Sequence, residues 1–518
     1  MKNKITLLLI LVLTTYSSCK KDLLESTDPN KLTTDKFYKT TQDAIQATNS
    51  VYSALNIYNM YMREYWYVLD LMSDEIEGTA NLEPRRQQVG NYTMTPNNDL
   101  ITSLWSGLYM GINRANLAIE NIPAIQMDEK LKERLLAECR FLRGFYYFEL
   151  TTLYGAAPLI TKPIVDAYSF PRTPVAEIDQ LIEEDFKFAL DNRLPKKAEY
   201  PSSDLGRVTQ GTVKGMLGKF YLYKKRYAES AAILKEIIDS GEYDLVDNYR
   251  DNGTHTNENN KESLFEVQMQ TGIFGGNSWG NESAGSPNGE GSFRTVEYGL
   301  TGFNNVKGSQ QFIDLMGDDP RSKYTFYQYG TTIKTSVGGS LVDTPYQDFK
   351  RDDKGNLLLD ANGKKQAVNG YATRKYNMLD FRASEFDENG DSGINFRVMR
   401  FADVLLMYAE AMNQVNGPTP EVYAAVNRVR NRPSVKVGDL PVGLSKAEMF
   451  NAIVRERALE FPLEQIRAKD IRRWGIAGPI LRAQGKQYRD GVHELLPIPQ
   501  KEIDANAAIS PDDQNPGY

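Results

Sequence analysis

The sequence predicts a mainly α-helical protein: a scaffold of tetratricopeptide-like helix pairs with an inserted loop- and hairpin-rich region where ligand is expected to bind. Three observations predict it. Apolar residues recur at helical spacing through much of 32–247 and again through 398–518. One stretch, "GTVKGMLGKFYLYKKRYAESAAILKEIIDSGEY", approximates a tetratricopeptide helix pair through Leu217, Gly218, Tyr221, Tyr227, Ala231, Leu234 and Ile237. Between the two helical parts, about 248–397, the composition turns to Gly, Ser and Asn, with turn signals at Lys354-Gly355 and Asn362-Gly363.

Composition bounds what the chain can do. Its 518 residues suffice for a large core without staples, and a formal net charge of −7 argues against nucleic-acid binding. Two histidines, His255 and His493, stand far apart in sequence, which disfavours a His-rich zinc site or a Ser-His-Asp triad. Two cysteines, Cys19 and Cys139, make no disulfide framework. Cys139 falls in the apolar helical stretch "LLAECRFLRGFYYF" and reads as a small core residue.

Cys19 reads differently. Residues 1–18 have the form of a signal peptide: Lys2 and Lys4, the apolar run 5–13, then Ser17 and Ser18. The run is too short to span a bilayer. Small residues directly before a cysteine resemble a bacterial lipobox, although Tyr16 replaces the usual Leu. Such a cysteine receives a diacylglycerol, the peptide before it is removed, and the new N-terminus is acylated. Two or more acyl chains anchor a protein stably where one holds it marginally. Residues 19–31 then form a tether with little periodicity.

Helices follow in order. Ile45, Val51, Ala54, Leu55 and Tyr58 mark the first, and Leu104, Leu108, Ile112, Ala115 and Ile119 the second, which Pro123 interrupts. Leu131, Leu135, Cys139, Leu142, Tyr146, Leu150 and Leu153 mark a third, and Pro174 opens the next. After the tetratricopeptide-like pair, where the tyrosines are expected to fill the gap beside Gly218, "MRFADVLLMYAEAMNQ" and "PEVYAAVNRVRNR" give a second pair joined at Gly417-Pro418.

Five segments carry a resemblance: "AECRFLRGFYYFELTTLYGAAPLIT", "RFADVLLMYAEAMNQ", "AVNRVRNR", "ERALEFPLEQIRAKDIRRWG" and "HELLPIPQKEIDANAAISPDDQNPGY". Together they resemble the SusD/RagB family of Bacteroidota outer-membrane lipoproteins, with the middle region matching least well. Gln465 and Ala468 stand where members often carry Gly and an aromatic, and Cys139 where Ala is common. The resemblance implies a lipid-anchored, surface-exposed binder of oligosaccharides, or in some members peptides, acting as a hinged lid on a SusC-like TonB-dependent barrel. Under that reading Cys19 is the lipidation site and no other cofactor is expected.

Sugar recognition needs aromatic faces and a few well-placed polar groups. Trp279, Phe274, Phe293 and Tyr298 lie in the Gly-rich segment 271–305, with a small core beneath a long loop as the competing reading. Trp279, flanked by Gly275, Gly276 and Gly280, is the foremost candidate. Asp74, Glu75, Arg85, Arg86 and Tyr92 form a second set in "SDEIEGTANLEPRRQQVGNYT", against which stands a solvated charge cluster. Trp66, Trp105 and Trp474 read as packing residues. Glu456, Glu460, Glu464, Arg467, Asp470 and Arg473 fall at helical spacings that permit ion pairs. "DENGDSG" imitates an EF-hand at Asp387, Asn389 and Asp391, but Ser392 and Val398 replace its Gly and closing Glu, leaving at most adventitious Ca²⁺. An enzyme of another class, a surface glycoside hydrolase, would need only two of the many carboxylates.

Overall fold

Helices packed one on another form the body of the molecule. The computed structural model describes residues 37–164, 168–191, 194–270, 291–300, 302–337, 340–361, 363, 365–377 and 392–518. The N-terminal part comprises α1 (Thr41–Ser53), α2 (Glu64–Leu71), α3 (Pro84–Asn91), α4 (Asp99–Asn121), α5 (Glu129–Tyr154), α6 (Val175–Leu190), α7 (Gln210–Tyr223) and α8 (Tyr227–Ser240). Short helices α9 (Arg294–Tyr298), α10 (Gln310–Met316) and α11 (Ser322–Thr325) follow. The C-terminal part adds α12 (Phe401–Asn416), α13 (Pro420–Arg430), α14 (Lys446–Glu460), α15 (Arg467–Arg473), α16 (Ala477–Ala483) and α17 (Gln500–Ala505). The chain is mainly α-helical, as the sequence predicts.

Local chemistry sets the helix ends. Thr40 and Asp43 form a capping box on α1, and Asn98 caps α4 by accepting from Leu100 N at 3.0 Å. Asp128 caps α5 in the same way through Leu131 N (2.9 Å). Gly241, at φ 67°, closes α8 in the left-handed region.

Neighbours in the stack run α4 on α5, α5 on α6, α6 on α7 and α7 on α8. Next to α8 comes α12, beginning 161 positions after Ser240, so the insertion interrupts the chain but not the stack. α12 then packs on α13 and α14. At the α7–α8 crossing a Cβ on Gly218 would come within 2.6 Å of Leu234. Leu234 and Ile233 fill that gap, rather than the tyrosines expected there. Ser230, where the repeat prefers Ala, donates its hydroxyl to Gly218 O at 2.8 Å. Cys139 is fully buried, its thiol beside Thr48 and pushed up to about 12 by burial.

The strands are short and pair antiparallel. They are β1 (Ile76–Gly78), β2 (Ala157–Pro158), β3 (Arg172–Thr173), β4 (Ser263–Val267), β5 (Val306–Gly308), β6 (Thr332–Val337), β7 (Ser340–Pro345) and β8 (Phe396–Arg400). The pairs are β1–β5, β2–β3, β4–β8 and β6–β7. Pairing of β4 with β8 fastens the two ends of the insertion at the point where it leaves the helices.

A buried ionic seam completes the fastening. Arg400 donates to Glu464 (2.8 Å) and Glu460 (2.8 Å), Arg432 to Glu262 (2.7 Å) and Glu460 (2.7 Å), and Arg321 to Glu456 (2.7 Å) and Glu460 (2.9 Å). All three guanidinium groups are buried. The helical spacing of "ERALEFPLEQIRAKDIRRWG" permits local ion pairs, and the structure forms few of them. Among Glu456, Glu460, Glu464, Arg467, Asp470 and Arg473, only Asp470–Arg473 pairs locally (2.8 Å). The other partners come from distant parts of the chain because these side chains face the interior.

Candidate functional site

An open cleft of about 400 Å³ runs beside β1 and α3. One wall is the antiparallel pair β1–β5, in which Glu77 sits opposite Lys307 and the two side chains form an ion pair at 3.2 Å. After Gly78 the chain turns tightly; a Cβ there would lie 2.5 Å from Leu82. The turn is pinned by the segment 303–305. Thr79 N donates to Asn305 O (2.9 Å), Thr79 Oγ1 to Asn304 O (2.8 Å) and Asn81 Nδ2 to Phe303 O (3.0 Å). Those bonds fix the backbone of 303–305 to the turn, and Phe303 there is 47 % exposed.

The second wall is α3. Pro84 starts it, and Tyr92 ends it with φ 59°. Gln87, Gly90 and Asn91 line the cleft, and Gln87 commits an amide N–H to Leu82 O (2.7 Å). From the far end of the chain, Gln484 and Lys486 close the third side, joined to α3 by Gln487 N donating to Asn91 O (3.0 Å). Gln484 Nε2 donates to Asp74 O (2.7 Å) and Ser309 Oγ (3.0 Å). The buried Lys486 Nζ donates to Leu71 O (2.9 Å) and to Ser73 O. Burial lowers its ammonium to about 8, with Asp74, Glu77 and Glu75 pulling it back up.

Beneath this floor lies a group of buried acids. Burial pushes Asp70 up to about 6 against the pull of Arg294 and Gln465. Burial and the neighbouring Asp70 and Asp74 push Glu75 well above the ordinary carboxylate range, despite a bond from Leu463 N (3.0 Å).

Most of the residues singled out in the sequence lie in the interior instead. Asp74 is buried and accepts both arms of the Arg467 fork (2.7 and 2.8 Å). Arg86 is fully buried, donates to both oxygens of Glu64 (3.0 and 3.2 Å) and lies 3.9 Å over the Tyr67 ring. Tyr92 is buried, donates to Met72 O and packs edge-on against Tyr488. Phe293 is buried against Tyr58, and Tyr298 is buried between Trp66 and Tyr67 with its hydroxyl on Asp70 (3.1 Å). Each of these five has its partners inside the protein and presents nothing to a ligand in the cleft. Arg85 stays half-buried on α3, paired with Glu83 (2.9 Å). Trp279, Phe274, Cys19 and the segment holding Asp387, Asn389 and Asp391 lie outside the described residues. No group of three or more His, Cys, Asp or Glu that would hold a metal occurs among the described residues.

The cleft residues Glu77, Gln87 and Asn91 occur in the same polar segment as the arginines. Nothing in the local pattern separates them from their neighbours. Gln484 and Lys486 arrive from about 400 positions away through the tertiary fold alone.

The model of the SusD family matches residues 243–518, and one described as "Starch-binding associating with outer membrane" matches residues 18–222. The chain belongs to the SusD family. A SusD-like protein P2 of Formosa agariphila is 28 % identical over the full length of both chains. Among solved structures, a SusD homologue from Bacteroides thetaiotaomicron superposes with a TM-score of 0.79 at 24 % identity, covering 94 % of this chain and 98 % of its own. A laminarin-binding SusD-like protein superposes at 0.75 with 28 % identity, covering 93 % of this chain and 100 % of its own. No helix among the described residues is long and apolar enough to cross a membrane.

Proposed function

We propose that this protein is a surface-exposed outer-membrane lipoprotein, anchored through Cys19, that binds oligosaccharides in the β1–α3 cleft. It passes them to a SusC-like TonB-dependent barrel, over which it acts as a lid. The observation that carries the reading is the cleft itself. Amide side chains from Gln87, Asn91 and Gln484 line it, and Phe303, whose carbonyl accepts from Asn81 next to the lining residues Thr79 and Ala80, is 47 % exposed. Amides both donate to and accept from hydroxyl groups, and an aromatic face suits the C–H surface of a sugar ring. The laminarin-binding relative supports a saccharide ligand.

Binding rather than cleavage fits the lining. Glu77 is the one carboxylate among the described residues lining the cleft, whereas glycoside hydrolysis uses two carboxyl groups flanking the bond. Titration calorimetry against a panel of oligosaccharides and peptides tests the reading, with chromatography of the recovered ligand. A saccharide should bind and return intact. Phe303→Ala should weaken it about 3- to 10-fold, the contribution of one aromatic contact. Hydrolysed products would show an enzyme, and peptide-only binding would exclude the saccharide. Palmitate labelling lost in Cys19→Ala, and co-purification of a barrel from outer membranes, test the anchor and the partner.

A further inference from the structure

Five lysines are buried among the described residues, and four of them hold a carboxylate. Lys132 pairs with Glu129, Lys219 with Asp403, Lys375 with Glu464 and Lys469 with Glu149. Lys486 differs: its ammonium is bonded to two backbone carbonyls, Leu71 O and Ser73 O, and no carboxylate among the described residues pairs with it. It is also the one of the five that lines the cleft.

Asp74, Glu77 and Glu75 attract the ammonium, but none of them pairs with it. Asp74 is matched by the fork of Arg467, and Glu77 by Lys307 across the β1–β5 pair. Glu75 is pushed toward its uncharged form by burial and by the two neighbouring aspartates. The carbonyls at the end of α2 supply only partial negative charge. An ammonium uses three donors, and two are taken by those carbonyls. A buried cation without a counterion is unfavourable unless one arrives from outside.

We propose that Lys486 makes the cleft floor an anion subsite, which takes the carboxylate of a uronic acid or the sulfate ester of a sulfated sugar. The ligand is then an acidic saccharide rather than a neutral glucan. This inference rests on the cleft being the saccharide site, and it names the class of saccharide.

The test is a glycan array of neutral, uronate-bearing and sulfated oligosaccharides, probed with the full-length protein and followed by calorimetry on the strongest binders of each group. Acidic members should bind at least about 10-fold tighter than neutral ones of equal length, the weight of one charge-assisted hydrogen bond. The uronate and sulfate arms tell which group is taken. Lys486→Gln should abolish the preference. Because that variant also removes a buried bond to α2, two exposed-edge variants accompany it. Glu77→Gln, which removes the cleft's carboxylate, should widen the acidic-over-neutral ratio. Lys307→Gln, which leaves Glu77 unpaired, should narrow it. Equal binding of neutral and acidic members, or an acidic preference that survives Lys486→Gln, overturns the subsite while leaving the saccharide reading intact. If no glycan binds, the saccharide reading falls and the subsite with it.

Discussion

Leu463 and Gln465 hold φ angles of 60° and 59°, a region that residues with side chains avoid at roughly 1–2 kcal/mol each. Polar groups from distant elements keep them there. Leu463 N donates to Glu75 Oε2 (3.0 Å), Arg294 donates to Leu463 O, and Gln465 Nε2 donates to Asp70 Oδ1 (2.6 Å). Glycine at 465 would relax the backbone but forfeit a bond to a carboxylate worth about 1.5–3 kcal/mol. Gln465→Gly is therefore expected to destabilise the protein by about 1 kcal/mol in urea unfolding. A variant more stable than the parent would show that backbone strain outweighs the amide. At this scale the sequence was a poor guide. Arg86, Asp74 and Tyr298 looked like ligand contacts because their partners Glu64, Arg467 and Asp70 lie on other elements. A polar residue next to polar residues reads the same whether it meets solvent or a buried countercharge.

Helix pairs were legible because their determinants are local. Gly218, Ala231, Leu234 and Ile237 fix the α7–α8 crossing from within one 34-residue period, a spacing visible without any tertiary information. The crossing leaves no room: a Cβ on Gly218 meets Leu234 at 2.6 Å, and Ser230 bonds Gly218 O at 2.8 Å. Gly218→Val should lower stability by about 1–3 kcal/mol through overpacking. Ser230→Ala should lower it by about 1 kcal/mol through loss of one hydrogen bond. Thermal unfolding of both variants checks the pair, and unaltered stability in Gly218→Val would contradict so close a crossing. The β1–α3 turn was not legible. Thr79 and Asn81 reach their partners at 303–305 across more than 220 positions, so no window of sequence contains both halves.

Across the whole molecule, the ionic seam couples stability to pH. Burial pushes Glu460 up, but Arg432, Arg400 and Arg321 more than reverse it and hold the carboxyl below its ordinary value. Burial likewise raises Asp403 and Asp470, and Lys219 with Arg457 for the first, Arg457 with Arg473 for the second, bring them below theirs. A carboxyl held low in the folded state contributes stability above its unfolded value, which is lost as pH falls through the lowered one. Asp70 and Glu75 are raised and act in the opposite sense: their ionisation weighs against the fold as pH rises from about 4. Of the three, Glu460 is tied into the seam that locks insertion to scaffold. The urea midpoint should therefore fall as pH drops below about 4.5, and fall less steeply in Glu460→Gln. A midpoint unchanged down to pH 3 would contradict this.

Hydrogen exchange in the presence and absence of a bound oligosaccharide tests the cleft most directly. Amides of 76–91, 303–308 and 484–487 should slow together on ligand addition while those of α12–α14 stay unchanged. Protection confined to other segments, or none at a saturating concentration of a saccharide shown to bind by calorimetry, would place the site elsewhere.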